Sequence, residues 1–411
     1  MADRSVDFLI VGGGPAGGTC ARRLREEGAD GSILLVGREP DPPYERPPLS
    51  KGYLAGSMGR DDALIDPAEW YEQQRIELCA RTSVMKLDAG ERVAKLSTKE
   101  EVGFERALLA TGSNVRRLRV DGCDLEGIHY LRSFANSDAI RADADEAERV
   151  VCIGGSYIGC EVAATLTAHR STSCSIVMLE ERVLERWFGK EVGGFFHGLL
   201  VDKGIEIHGS DELERFEGPD GRVRRVVTKG GREIDCDCVV IGAGVTPDLT
   251  LARGAGLEPG EQGGVPCSAQ LETSVPGLFA AGDIAEYDSP IHGRPMRIEH
   301  YEVATAHGET AALNMMGREV DHAEVPYFWS DLADWATLEY VGPGSGEPVI
   351  RGSLEDGDFT AFYVDDGRVT AALTVGRSDD LEHAKRFIRE QASPDPQALA
   401  DESTDLSGIG S

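Results

Sequence analysis

Residues 6–17, VDFLIVGGGPAG, place a β-rich run ahead of Gly12, Gly14 and Gly17 in G-x-G-x-x-G spacing. The next stretch, AGGTCARRLREEGA, suits a helix ending at Gly28. The run SILLVG reads as a second strand, and Glu39 lies just past it. Strand, tight turn, helix, strand and acid in that order are the parts of a dinucleotide site. Gly12 permits the turn, Gly14 lets backbone approach a pyrophosphate, and Gly17 lets helix and strand pack closely. The helix N-terminus offers unpaired N–H groups to phosphate, and the acid can hydrogen-bond a ribose diol.

The pattern returns. RVVCIGG leads through Ser156, Tyr157 and Ile158 to Gly159, then a helix-like CEVAATLTAHR and a strand CSIVMLE ending at Glu180. Glu180 lies 21 residues past Gly159, and Glu39 lies 22 past Gly17. One glycine fingerprint is weak evidence, whereas two in full βαβ context with matching acids predict two dinucleotides. Ser156 replaces the middle glycine of the second copy, so a Cβ crowds the closest backbone approach there. Glu180 and Glu181 favour a free 2′-hydroxyl, hence NADH, while Arg182 keeps NADPH in play. Further strand exits follow at Ala110-Thr111-Gly112, at the VVIGAG run containing Gly244, and at Gly282-Asp283. Asp283 is suited to accept a hydrogen bond from a sugar-alcohol hydroxyl.

The 411 residues suffice for two or three domains. The 72 acidic residues against 42 basic ones give a net charge of −30, which repels nucleic acid and anionic membrane surfaces. It also makes tight docking of a strongly acidic partner harder unless arginines cluster. No apolar run approaches a membrane span and no signal peptide is read at the N-terminus, so a cytoplasmic location is expected. Nine dispersed cysteines imply reduced thiols, with Cys236 and Cys238 alternating across a strand and no metal site expected.

Over residues 6 to 390, the order of these motifs resembles the two-dinucleotide flavoproteins of the glutathione-reductase type. EPDPPYERPPLSKGYL, YFWSD and the C-terminal VIRGSLEDGDFTAFYVDDGRVTAALTVGR resemble its branch of NADH-dependent ferredoxin, rubredoxin and putidaredoxin reductases, which also holds apoptosis-inducing-factor-like proteins. The resemblance implies FAD in the first site and NAD(H) in the second. It implies that Gly12, Gly14, Pro15, Ala16 and Gly17 cradle the FAD pyrophosphate, that Glu39 holds the adenosine ribose, and that Arg46 and Lys51 border the FAD. It places the Val84 backbone at the adenine, Arg132 at the cofactor's outer part and Asp283 at the ribityl chain, with Ala110, Thr111, Gly112, Gly244 and Gly282 at the strand exits. Tyr301 and Trp329 would lie by the flavin ring, although Trp329 reads equally as a core aromatic. Gly154, Gly155, Tyr157, Ile158, Gly159 and Glu180 would hold NADH.

The same resemblance puts Lys51 and Glu161 together beside flavin N5 as the catalytic pair. A buried cation there stabilises negative charge on reduced flavin, and the glutamate keeps the lysine charged and oriented. Disulfide reductases of this superfamily carry C-x4-C after the first βαβ and thioredoxin reductases a C-x-x-C in the second; this sequence has neither, so electrons should leave directly from the flavin. Family members often carry a glutamine near His307 and other residues near His300, and neither histidine is assigned acid–base chemistry.

The expected fold class is α/β: two Rossmann-like dinucleotide-binding domains plus a small α+β C-terminal domain. The expected divisions are an FAD domain of 1–115 and 243–325, an NADH domain of 116–242, a C-terminal interface domain of 326–392 and a disordered acidic tail of 393–411. A hairpin is expected at Asp366-Gly367 and a short closing helix over HAKRFIREQ. The resulting expectation is an NADH-dependent flavoprotein reductase, monomer or homodimer, passing single electrons to a ferredoxin or rubredoxin that serves an oxygenase. Two alternatives stay open: reduction of a small-molecule acceptor such as a quinone, radical or oxygen, and a slow apoptosis-inducing-factor-like redox sensor.

Overall fold

The first strand, Arg4–Val11, pairs in parallel with Ile33–Val36 on one side and Glu101–Leu109 on the other. This computed structural model describes residues 2–170 and 172–409. Ile76–Cys79 extends the parallel sheet beyond Ile33–Val36. Glu101–Leu109 changes neighbours along its length: its start pairs antiparallel with Val93–Leu96, and its end pairs in parallel with Leu278–Ala280. Ile33, Leu34, Leu35 and Val36 are all buried, as central strands covered on both faces require.

The helix Pro15–Glu26 begins directly after the glycine turn, with Gly14 as its N-cap and Pro15 as its first residue. Proline suits that position because its missing N–H would have had no intrahelical partner. Ala16, Cys20, Ala21 and Leu24 form the helix's buried stripe, at the spacing that puts side chains on one face. Together with Tyr301–Met315 and its neighbours, this sheet makes up a compact unit containing the chain up to Arg46, Arg60–Asn114 and Val245–Pro326.

The second unit contains Pro47–Gly59, Val115–Gly244 and the chain from Tyr327 on. Its parallel sheet runs in the order Glu206–His208, Ser173–Val177, Arg149–Ile153, Cys238–Ile241, Ile128–Tyr130. The helix Tyr157–Arg170 follows the second glycine turn. A five-stranded antiparallel sheet takes the order Tyr327–Leu332, Ala336–Val341, Arg368–Val375, Asp358–Asp365, Pro348–Ser353. Asp365 pairs with Arg368 across the hairpin at Asp366-Gly367. Both turn residues have positive φ, 47° and 76°, which matches the twist of the flanking strands.

The segment Pro47–Gly59, expected within the FAD domain, is held here by side chains of the second unit. Ser137 Oγ donates to the Leu49 carbonyl at 2.8 Å, and Thr165 Oγ1 donates to the Ser50 carbonyl at 2.7 Å. Tyr53 packs edge-on against Phe134 and donates its hydroxyl to Asp138.

Two C-terminal expectations are corrected. The closing helix starts at Ser378, ahead of His383, because Leu381, Ala384, Phe387 and Ile388 make a buried stripe behind an acidic first turn. Over the described residues 393–409 the acidic tail is folded, not disordered, and Gly410 and Ser411 lie outside the described residues. Pro396–Ala400 is a short helix capped by Asp395, and Leu399 and Leu406 are buried. Buried Arg351, on the edge strand Pro348–Ser353, donates to the carbonyls of Asp401 at 2.6 Å and Thr404 at 3.0 Å. Two leucines and one arginine outweigh a composition that reads as solvated. Among the described residues no helix is long and apolar enough to cross a membrane.

Candidate active site

In the first unit the glycine turn is built by close backbone approach. Gly12 has φ +126°, and a Cβ there would lie 2.0 Å from the Ala110 carbonyl oxygen. A Cβ on Gly17 would lie 2.0 Å from the Gly12 oxygen. Those two positions exclude any other residue, which is why the spacing is strict. Gly14 differs: a Cβ there would meet nothing within 4 Å, and it gives the helix no side-chain cap. An uncapped helix N-terminus facing open space fits a pyrophosphate, so the residues of this cradle pass the test for a dinucleotide.

Around the cradle, Glu39 pairs with Arg46, Nη2 to Oε1 at 2.5 Å, and accepts a hydrogen bond from the Tyr44 hydroxyl. The Arg46 guanidinium lies 4.3 Å from the Tyr44 ring centroid. Thr111 Oγ1 donates to the Asp248 carbonyl at 2.7 Å, securing the Ala110-Thr111-Gly112 exit. Asp283 sits in a short 3-10 turn, Gly282–Ile284, close enough to Arg46 and His300 to favour their charged forms. Burial dominates at His300 and pushes it down to about 4. Val84 opens the strand Val84–Asp88, paired with Leu96. Tyr301 opens the helix Tyr301–Met315, and burial with nearby Glu45 raises its phenol.

The second unit repeats the turn. A Cβ on Gly159 would lie 1.9 Å from the Gly154 oxygen, and one on Gly155 would lie 2.1 Å from Met178 Sδ. Ser156 turns its hydroxyl toward the Gly242 carbonyl at 3.4 Å. Tyr157 opens the helix with Ile158 beside it, and its ring packs against Phe328 at 5.0 Å and stacks on half-exposed Trp187 at 6.4 Å. The Gly244 carbonyl accepts from the Arg116 N–H, and the Arg132 N–H donates to Asn136 at a helix start.

Past the strand Ser173–Val177, the Glu180 carbonyl accepts from the Ser210 N–H. Beside it, Glu181 holds Lys190 at 3.2 Å and Arg182 at 3.8 Å, while Arg182 also donates to the Lys190 carbonyl.

Lys51 and Glu161 meet: Nζ lies 2.7 Å from Oε1, with the two side chains 13% and 6% exposed. Two hydroxyls that sequence reasoning missed complete the carboxylate's shell. Ser330 Oγ donates to Oε1 and Ser50 Oγ donates to Oε2, each at 2.5 Å. Lys51 Nζ also lies 5.1 Å from the Trp329 ring centroid. A buried carboxylate is stable only when its lone pairs are filled, and here a cation and two hydroxyls fill them. Ser330 was legible in principle: it is a polar residue on the buried parity of the strand Tyr327–Leu332, whose burial alternates residue by residue.

All nine cysteines are free thiols, seven of them buried. Cys236 packs with Val239 and Ile241. Cys238 neighbours His129 and Asp143, the metal-ligand-like cluster found among the described residues. There His129 Nε2 is 2.6 Å from one Asp143 oxygen and Arg222 is 2.8 Å from the other, while burial keeps the Cys238 thiol protonated. Asp143 is thus shared between His129 and Arg222.

A family model for pyridine nucleotide-disulphide oxidoreductases matches residues 6–308, and one for the reductase C-terminal domain matches residues 327–409. The chain belongs to the pyridine nucleotide-disulphide oxidoreductase family. It is 35% identical, over 97% of its length and 98% of the relative's, to the ferredoxin–NAD(+) reductase component of the anthranilate 1,2-dioxygenase system of Burkholderia cepacia. Among solved structures it is similar to the ferredoxin reductase for the CYP199A2 system of Rhodopseudomonas palustris, with TM-score 0.92 and 32% identity over 98% of each chain. It is equally similar to putidaredoxin reductase in its covalent complex with putidaredoxin: TM-score 0.92 and 32% identity over 99% of this chain and 98% of the other.

Proposed function

We propose that this protein is a cytoplasmic NADH-dependent flavoprotein reductase that delivers electrons to a ferredoxin-type protein serving an oxygenase. The observation that carries the reading is the pairing of two glycine cradles with a buried Lys51–Glu161 ion pair in a chain without a redox-active cysteine pair. The names of the relatives, ferredoxin reductases of oxygenase systems, support the acceptor class.

FAD bound at the first cradle would accept a hydride equivalent from NADH and release electrons singly. Gly12, Gly14, Pro15, Ala16 and Gly17 would hold its pyrophosphate, with Glu39 and Arg46 at the ribose, Val84 and Arg132 at its outer parts, and Gly282-Asp283 at the ribityl chain. The second cradle, Gly154 to Gly159 with Glu180, would hold NADH and orient its nicotinamide, which is the protein's main contribution to hydride transfer. Lys51, held in place by Glu161, would supply positive charge at the redox centre, with Trp329 and Tyr301 excluding water. In this reading 1–46 and 60–115 with 243–325 are the FAD domain and 116–242 the NADH domain, with the chain from 326 on as the C-terminal interface domain.

The test is an anaerobic titration of purified protein with NADH and, separately, NADPH, following flavin absorbance. Rapid bleaching by NADH, followed by turnover with a ferredoxin, is expected. Absence of bound flavin, or of a response to either nucleotide, would overturn the reading. A persistent long-wavelength band with slow turnover would favour the sensor alternative.

Nucleotide choice gives a second expectation. Glu180 repels a 2′-phosphate, and Glu181 occupies Lys190 and Arg182, the cations that would otherwise bind one. The double variant Glu180→Ala/Glu181→Ala is expected to lower the NADH-over-NADPH ratio of kcat/KM by at least about tenfold. An unchanged ratio would show that selectivity resides elsewhere.

A further inference from the structure

We infer that His307 is a positioning residue for the flavin cradle, a neutral imidazole whose Nδ1 fixes the Gly282-Asp283 turn from the helix Tyr301–Met315. This rests on the reading that the first unit binds FAD. The buried Gly282 N–H donates to His307 Nδ1 at 3.2 Å. Because the partner is a donor, Nδ1 carries a lone pair and the ring proton sits on Nε2. A protonated ring would turn two N–H groups against each other. Burial and the adjacent His322 hold His307 neutral, well below the ordinary histidine range.

The ring is clamped. Tyr287 stands 4.8 Å away and His322 4.5 Å away, each nearly perpendicular to it, and all three residues are buried. Rotation of the imidazole away from Gly282 would collide with both. The N–H that His307 holds belongs to the residue immediately before Asp283, so it sets the direction in which that carboxylate leaves the turn.

The next residue ties the same helix to the other half of the cradle. A Cβ on Gly308 would lie 2.4 Å from the Ala16 oxygen and 3.1 Å from the Cys20 nitrogen. The helix therefore lies against the backbone of Pro15–Glu26 at its first turn, where the pyrophosphate cradle begins. The turn itself sits between the two helices: a Cβ on Gly282 would be 3.5 Å from both Ala16 Cβ and Ala304 Cβ. His307 and Gly308, adjacent in sequence, thus fix the ribityl and pyrophosphate positions relative to one another. An asparagine, whose Oδ1 hangs from Cγ as Nδ1 does, can offer an oxygen to the same N–H. Leucine cannot.

The experiment compares the holoprotein with His307→Asn and His307→Leu. Two quantities are read: the FAD dissociation constant, from flavin fluorescence on release, and the two-electron midpoint potential, from dye equilibration. His307→Leu leaves a buried N–H without an acceptor and is expected to weaken FAD binding about tenfold. If binding of one redox state is weakened tenfold more than the other, the potential moves by about 30 mV. His307→Asn is expected to stay within about twofold of the parent in affinity, with its potential preserved. A Leu variant that keeps both values, or an Asn variant as impaired as Leu, would overturn the inference. Should the Leu variant fail to fold, His307→Phe, which keeps a flat ring but offers the N–H no acceptor, takes its place. The parent protein is the control for the reading beneath: no FAD bound to it would refute that reading, whereas FAD bound equally well to every variant refutes only the role of His307.

Discussion

Replacing Glu161 by glutamine is expected to slow reduction of the bound flavin by NADH about 100-fold in anaerobic stopped-flow, the scale of losing one preorganised electrostatic group. The substitution keeps the shape and removes the charge. Glu161 accepts from Lys51 and Ser330 on Oε1 and from Ser50 on Oε2. Glutamine has one accepting end; with its oxygen toward Lys51 and Ser330, its NH2 group faces Ser50, whose hydroxyl must turn to accept. Lys51, 13% exposed, then lacks the carboxylate that keeps its ammonium in place. Lys51→Met should give a similar loss. The double variant should be no slower than the worse single, because the two residues act as one unit. Ser330→Ala and Ser50→Ala remove one hydroxyl each and should cost about fivefold, the scale of one hydrogen bond. Breaking a buried ion pair also destabilises by about 3–5 kcal/mol, so thermal unfolding is measured alongside. Rates at the parental level in both single variants would make the cluster a fold-holding pair and remove it from the chemistry.

The comparison between Lys51 and Ser330 shows what a linear sequence carries. The glycine spacings were legible because they answer local geometry: Gly12, Gly17, Gly154 and Gly159 each sit where a Cβ would strike backbone a few residues or one strand away. The acids after the second strands were read as fixed offsets from the turn, and Glu39 stands there paired with Arg46. Family resemblance supplied the Lys51–Glu161 pairing across 110 residues, which spacing alone does not. Ser50 and Ser330 went unnoticed because their partner, Glu161, is far away in sequence: Ser50 ends a short 3-10 turn, and the buried parity of Ser330 marks a polar position without naming what it binds. The C-terminal tail was misread for a related cause. Its composition is that of a solvated segment, yet Leu399 and Leu406 are buried and Arg351 binds its carbonyls. A buried arginine fifty residues upstream does not show in the tail's own letters. The histidines of the first unit were visible as residues, but their burial depends on how Tyr301–Met315 packs, which the sequence does not state.

That burial sets the second large effect, an acid sensitivity above the carboxylate range. Burial pushes His300 and His322 down to about 4, and His307 lies well below its ordinary value of 6.5. All three belong to the first unit. Between pH 6.5 and 4 the unfolded chain binds protons on these rings and the native chain does not. Stability therefore rises with pH through that window and falls as the solution is acidified toward 4. Each ring contributes at most about 1.4 kcal/mol per pH unit, so acidification from pH 6.5 to 5 removes several kcal/mol from a protein of ordinary stability, roughly 5–15 kcal/mol. Urea unfolding followed by circular dichroism at half-unit steps from pH 7.5 to 5 measures the slope. His322→Gln cannot titrate and should flatten it by the contribution of one proton, whatever its effect on absolute stability. A parent midpoint that stays level down to pH 5 would mean that these rings accept protons in the folded state, and the neutral His307 that holds Gly282 would fall with it.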